Sequence, residues 1–174
     1  LLTSQKERAE NLMITDMVRN DLGRIAEPGS VSVPHLFSVE RYPTVWQMTS
    51  TVQAITNSPV SKIMKACFPP ASITGAPKRR TMEIIHEQEP DPRHIYTGAL
   101  GYMVPGRRAR FNVAIRTVLF DKIHNSAEYG VGGGIVWDSD PENEYRECHV
   151  KAKVLKDRIR SEERRVGKEC IVKC

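Results

Sequence analysis

The chain has 174 residues, enough for one domain with its own core, and 40% hydrophobic and 27% charged residues, an ordinary globular balance. No apolar run approaches the roughly 18 residues of a membrane span, and no basic-then-apolar leader opens the chain, so a cytoplasmic protein that does not enter a membrane is expected. The formal net charge of +5 sits mostly at one end: residues 156–174 carry seven Lys/Arg against four Asp/Glu, whereas residues 1–155 hold 19 basic and 17 acidic side chains. A nearly balanced body lacks the electrostatic footprint of a nucleic-acid binder.

In chain order, Ser4 followed three residues later by Glu7 has the form of a capping box. Ala9, Leu12, Met13, Met17 and Leu22 then recur at helical spacing, which predicts a helix over Gln5 to Leu22 with Gly23 as its stop. Val31, Val33, Leu36, Phe37 and Val39 predict a strand interrupted by Pro34, Tyr42-Pro43 predicts a break, and Val45 to Val52 predicts a second strand. Ser58 to Cys67 suits a short helix. Phe68-Pro69-Pro70 opens a loop that runs through Ser72 to Lys78 into a helix ending near Glu89, with Pro77 suited to its first turn. Strands are expected at Gly98–Val104, Phe111–Phe120 and Ser126–Val136, the first two joined around Arg107-Arg108. A last helix is expected from Asp138 to Arg158, capped by Ser139 or Asp140. Helices flanking strands without strict alternation predict an α+β fold with antiparallel sheets. The segment after Arg160, SEERRVGKECIVKC, has little periodicity, and residues 160–174 are expected to form a non-native or disordered tail.

Cys67, Cys148, Cys170 and Cys174 contain no CxxC pair, so Cys67 and Cys148 are expected as free thiols and a zinc site is not expected.

Several side chains could carry chemistry. Glu7 and Glu10 share one face of the first helix, and Glu144, Glu147 and Lys151 share one face of the last. Two such carboxylate pairs supply the hard oxygen ligands that Mg²⁺ takes, although Glu at this spacing is also the ordinary composition of a solvated face. The run Ser72-Ile73-Thr74-Gly75-Ala76-Pro77-Lys78 offers hydroxyls and backbone N–H groups to an anion at a helix entry, without the spacing of a nucleotide P-loop. In Tyr129-Gly130-Val131-Gly132-Gly133-Gly134-Ile135 no helix follows directly, so close approach of backbone to a ligand or strand is expected rather than a dinucleotide site. Arg116 is expected within an apolar strand, where a guanidinium needs an anionic partner if buried.

The strings ENLMITDMVRNDLGRIAEPGSV, FPPASITGAPKRRTMEII, YTGALGYM, AIRTVLF and GVGGGIVWDSDPENEYRECHVKAKVL resemble, in order and spacing, the chorismate-binding enzymes. The form SITGAPK is similar to the aminodeoxychorismate branch of that family rather than the anthranilate synthases. The resemblance implies that residues 1–159 are the C-terminal part of a chorismate-binding catalytic domain, N-terminally truncated. It implies Mg²⁺ as cofactor, with Glu10 and Glu147 as ligands and Glu7 and Glu144 as supporting or alternative ones. It further implies that Ser72, Tyr96, Arg116, Gly132, Gly134 and Lys151 bind the carboxylates of chorismate. The implied partner is a glutamine amidotransferase subunit or domain that delivers ammonia. Gln47 stands where the family usually has a His, so it could hydrogen-bond but not shuttle a proton. Cys148 stands where a Thr is common. The Lys of the PIKGT-type segment, nucleophile of the aminodeoxychorismate branch, precedes the matched strings, so these 174 residues alone are expected to be inactive. An anthranilate synthase and a non-catalytic fragment are the competing readings.

Overall fold

In the computed structural model, residues 5–42, 46–162 and 170–173 are described. Side chains at position 6 and from position 154 onward, and Ser4 of the expected capping box, lie outside that description. The chain divides into two compact units, Leu1–Pro90 and Asp91–Cys174.

The first unit opens with α1 (Gln5–Gly23), followed by strands β1 (Ser32–Arg41) and β2 (Trp46–Gln53). The two strands pair antiparallel, with Val39 opposite Met48 and Glu40 opposite Gln47. Pro34 has no N–H to give the ladder, and the register shifts on both sides of His35. At Phe37 φ is 59°, and its N–H donates to the Ser50 hydroxyl at 3.1 Å instead of to a strand carbonyl. Ser50 donates in turn to Asn11 Oδ1 at 2.5 Å, so one hydroxyl ties the bulge to α1. Helices α2 (Val60–Cys67), α3 (Ala71–Thr74) and α4 (Lys78–Gln88) complete the unit, and α1 packs on β2, α2 and α3. The loop expected before Pro77 contains the single turn α3, because Ile73 and Thr74 donate back to the Pro70 carbonyl and Gly75 to that of Ala71. Pro77 is the residue before α4, in extended conformation, rather than within its first turn.

The second unit holds the hairpin β3 (Ala99–Val104) and β4 (Arg108–Val113), then β5 (Val118–Asp121), β6 (Ser126–Gly130), α5 (Pro141–Glu162) and β7 (Cys170–Lys173). β5 and β6 pair antiparallel, and β7 joins β6 in parallel. The strand expected over Phe111–Phe120 is two strands. Ile115 N–H donates to the Val113 carbonyl two residues back, and Arg116 has φ 50°, so the chain turns between them. The strand expected over Ser126–Val136 ends at Gly130. A small core of Tyr129, Val131 and Ala152, with Cys148 packed against it, fastens α5 to the end of β6. The fold is thus α+β with helices and small sheets, as the pattern predicted, their strands antiparallel except where β7 joins β6. No helix among the described residues is long and apolar enough to cross a membrane.

Candidate functional site

The glycine run after β6 is shaped by its neighbours. Thr97 N–H donates to the Ala114 carbonyl and Ala114 N–H to that of Gly98, extending the β3–β4 ladder to the residue beside Tyr96. The Tyr96 ring lies directly on the Gly130 backbone, where a Cβ would collide with its Cγ and Cβ atoms. A Cβ on Gly132 would stand 2.8 Å from the Tyr96 hydroxyl oxygen, and one on Gly133 would stand 2.8 Å from Glu144 Oε2. Close approach of side chains to bare backbone is therefore what glycine permits at 130, 132 and 133. Gly134 has no such neighbour within 4 Å. Arg93 covers the Tyr96 ring, its guanidinium 6.0 Å from the centroid.

Helix α5 brings its functional side chains to this run. Asp140 caps the helix, its carboxylate accepting from Asn143 N–H at 3.0 Å, and Pro141 takes the first helical position. The Ser139 hydroxyl accepts from Val136 N–H at 3.0 Å and donates to Glu144 Oε1 at 2.7 Å, fixing that carboxylate beside Gly133. Two turns on, Lys151 Nζ pairs with Glu147 Oε1 at 2.6 Å and donates to the Gly132 carbonyl at 2.8 Å. An ammonium has three N–H donors, so one is left to meet an anion. Tyr96, Gly132, Glu144, Glu147 and Lys151 are thereby gathered in one place.

Arg116 is not drawn into this group. It is exposed in the turn between β4 and β5, and no hydrogen bond or ion pair among the described residues ties it to Tyr96 or Lys151. Its expected position inside a strand is corrected by its positive φ. Gly134 is also exposed.

In the first unit, Glu7 and Glu10 are both exposed on α1, Gln47 is exposed opposite Glu40, and Ser72 is exposed on α3. The two expected carboxylate pairs therefore fall one in each unit, Glu7 with Glu10 and Glu144 with Glu147. These hard oxygen donors fit the chemistry of Mg²⁺. Among the described residues no group of three or more His, Cys, Asp or Glu side chains gathers as a metal site. Cys67 and Cys148 are thiols outside any disulfide, as expected.

One buried ion pair escaped the sequence reading. Asp21 is 7% exposed, and its carboxylate meets Lys78 Nζ at 2.5 Å across 57 residues of chain. The available signal was position: Asp21 lies four residues after Met17, inside the apolar stripe of α1, where a carboxylate needs a partner.

Comparison with known proteins places these residues in context. The chorismate binding enzyme family is matched over residues 1–157, ending before the tail, and the chain belongs to that family. It is 50% identical over 153 residues to the probable aminodeoxychorismate synthase, chloroplastic, of Oryza sativa subsp. japonica, covering 86% of this chain and 17% of that protein. It is 46% identical over 153 residues to aminodeoxychorismate synthase component 1 of Salmonella typhimurium, covering 87% of this chain and 33% of that protein. Among solved structures, anthranilate synthase component I from Streptococcus pneumoniae superposes with a TM-score of 0.77 at 37% identity, covering 88% of this chain and 35% of that one. The chain thus spans about a sixth to a third of the length of these relatives.

Proposed function

We propose that the polypeptide carrying these residues is the chorismate-aminating component of an aminodeoxychorismate synthase. It replaces the C4 hydroxyl of chorismate with an amino group, giving 4-amino-4-deoxychorismate for 4-aminobenzoate and folate synthesis. The observation that carries this reading is the 46–50% identity to proteins of that name, over residues that include the Tyr96–Gly132–Lys151 group. The runner-up, an anthranilate synthase component, is supported by the solved structure at 37% identity, a more distant likeness.

Chorismate carries two carboxylates, and the chain supplies what a dianion demands. Lys151 has an N–H to spend, Gly132 and its neighbours bring bare backbone to the ligand, and Tyr96 walls the run with a phenol. Arg116 and Ser72 complete the proposed anion contacts from exposed positions. The proposed Mg²⁺ ligands are Glu10 and Glu147, supported by Glu7 and Glu144. When bound, the ion neutralises substrate carboxylate charge and acts as a Lewis acid. Glu147 would then share its carboxylate with Lys151, so that metal and ammonium are held in register by one side chain. Gln47 can donate or accept at the ring but cannot relay a proton. The nucleophile that adds to the ring is, by family resemblance, a Lys of an upstream segment, and ammonia comes from a glutamine amidotransferase partner.

With the nucleophile of covalent amination assigned to an upstream segment, residues 1–157 are proposed to contribute at most weak, Mg²⁺-dependent chorismate binding. Calorimetric titration with chorismate should show binding that requires Mg²⁺, and incubation with ammonia should yield no product. Sustained formation of 4-amino-4-deoxychorismate by this chain would overturn the assignment of the nucleophile to an upstream Lys.

A further inference from the structure

We propose that Asp21 and Lys78 are positioning residues, whose buried ion pair locks the Ala71–Pro77 segment, carrying Ser72, onto the helix that carries Glu10. The inference rests on the reading of Ser72 and Glu10 as site residues and adds to it the device that fixes one against the other.

The geometry is specific. Asp21 sits two residues before the end of α1, and Lys78 is the first residue of α4, directly after Pro77. Their contact is 2.5 Å, with side chains only 10% and 19% exposed. Arg24, the other cation near Asp21, stands at 3.9 Å and is 64% exposed, so it screens the carboxylate from outside without replacing Lys78. Between Pro70 and Pro77 the backbone hydrogen bonds are all local: Ile73 and Thr74 to Pro70, Gly75 to Ala71. Such bonds shape the segment but do not attach it to anything. Gly75 turns it with φ 105°, and a Cβ added there would stand 3.2 Å from Thr81 Cγ2. α3, whose Ala71 is 1% exposed, packs on α1, and the Lys78–Asp21 pair adds a polar tie from the end of the segment to that helix. A lone apolar contact is non-directional, whereas an ion pair with a single short contact fixes position.

Cys67, at the end of α2, reports on this clamp. Burial pushes its thiol pKa up, Asp21 adds to the rise and Lys78 opposes it, so all three groups share one neighbourhood. A thiol half-buried there gains access to solvent when the segment lifts.

The experiment follows labelling of Cys67 by a thiol reagent across pH, in the full chain with Cys148, Cys170 and Cys174 replaced by Ser. The high-pH plateau of the rate measures access, and the midpoint measures the local charges. Lys78→Met and Asp21→Asn should each raise the plateau by roughly tenfold or more, and Lys78→Arg, which keeps the cation, should stay near the parent. Hydrogen exchange run in parallel should show residues 68–77 opening while α1 keeps its protection. A plateau unchanged in either neutral variant would overturn the proposal. So would loss of protection throughout α1, since the pair would then support global stability rather than position. Neither readout uses chorismate, so the clamp can fail while the functional reading stands, and the reverse.

Discussion

Lys151 donates to the carbonyl of Gly132 at 2.8 Å while its other contact is Glu147 at 2.6 Å, so one ammonium joins helix α5 to the glycine run 19 residues earlier. The consequence is that charge at 151 acts on both the backbone proposed to meet the ligand and the carboxylate proposed for the metal. In the complete enzyme, Lys151→Met should lower kcat/KM for chorismate by on the order of 10² to 10³, the loss of a charged donor to an anion. Lys151→Arg should recover part of it. Steady-state kinetics with both variants check this, and a value near the parent for the Met variant would remove Lys151 from the site.

The glycines are not equivalent. A Cβ at Gly130 collides with the Tyr96 ring, whereas one at Gly134 meets nothing within 4 Å. Gly130→Ala should therefore cost about 1–3 kcal/mol by overpacking, and Gly134→Ala well under 1 kcal/mol. Adding Tyr96→Ala should relieve part of the Gly130→Ala penalty, because the two share one contact. Chemical denaturation of these three variants and of Tyr96→Ala alone measures the pattern.

Arg116 offers a clean separation of structure from binding. Its φ of 50° suits glycine, so Arg116→Gly removes the guanidinium without backbone strain and should leave the melting temperature within a few degrees of the parent. If Arg116 holds a chorismate carboxylate, the same variant should lower kcat/KM by on the order of 10² or more. A parent-like kcat/KM would show that this exposed side chain has no part in binding.

Much of this arrangement was legible in the sequence where local signals are strong. Helix α1 ends at its predicted glycine, and Asp140 caps α5 where a capping residue was expected. What failed were features that depend on contacts across the chain or on turns without breaker residues. The stretch from Phe111 to Phe120 contains neither Gly nor Pro, so nothing in its composition marks the turn that Ile115 and Arg116 make. The Ser50 hydroxyl that satisfies the Phe37 N–H is equally invisible, because the bulge exists only once β1 and β2 pair. Asp21 gave a faint signal by its place in an apolar stripe, but its partner 57 residues away could not be read from periodicity.

The proposed metal role makes a prediction of its own. Glu10→Gln and Glu147→Gln each remove one negative oxygen donor while keeping shape, so each should raise the Mg²⁺ concentration for half-maximal activity by about tenfold or more. Glu142, exposed on α5 beside Arg146, is the control, and Glu142→Gln should leave the Mg²⁺ dependence unchanged. Titrating activity with Mg²⁺ distinguishes the cases. Equal Mg²⁺ dependence in all three variants would take Glu10 and Glu147 out of the metal site.

The identity of the product separates an aminodeoxychorismate synthase from an anthranilate synthase. The complete enzyme should be incubated with chorismate, Mg²⁺ and ammonia, and its product separated and assayed for pyruvate. The expected product is 4-amino-4-deoxychorismate, convertible to 4-aminobenzoate by its lyase, with no pyruvate released before the lyase is added. Anthranilate with an equivalent of pyruvate would contradict it and place the chain with the anthranilate synthases.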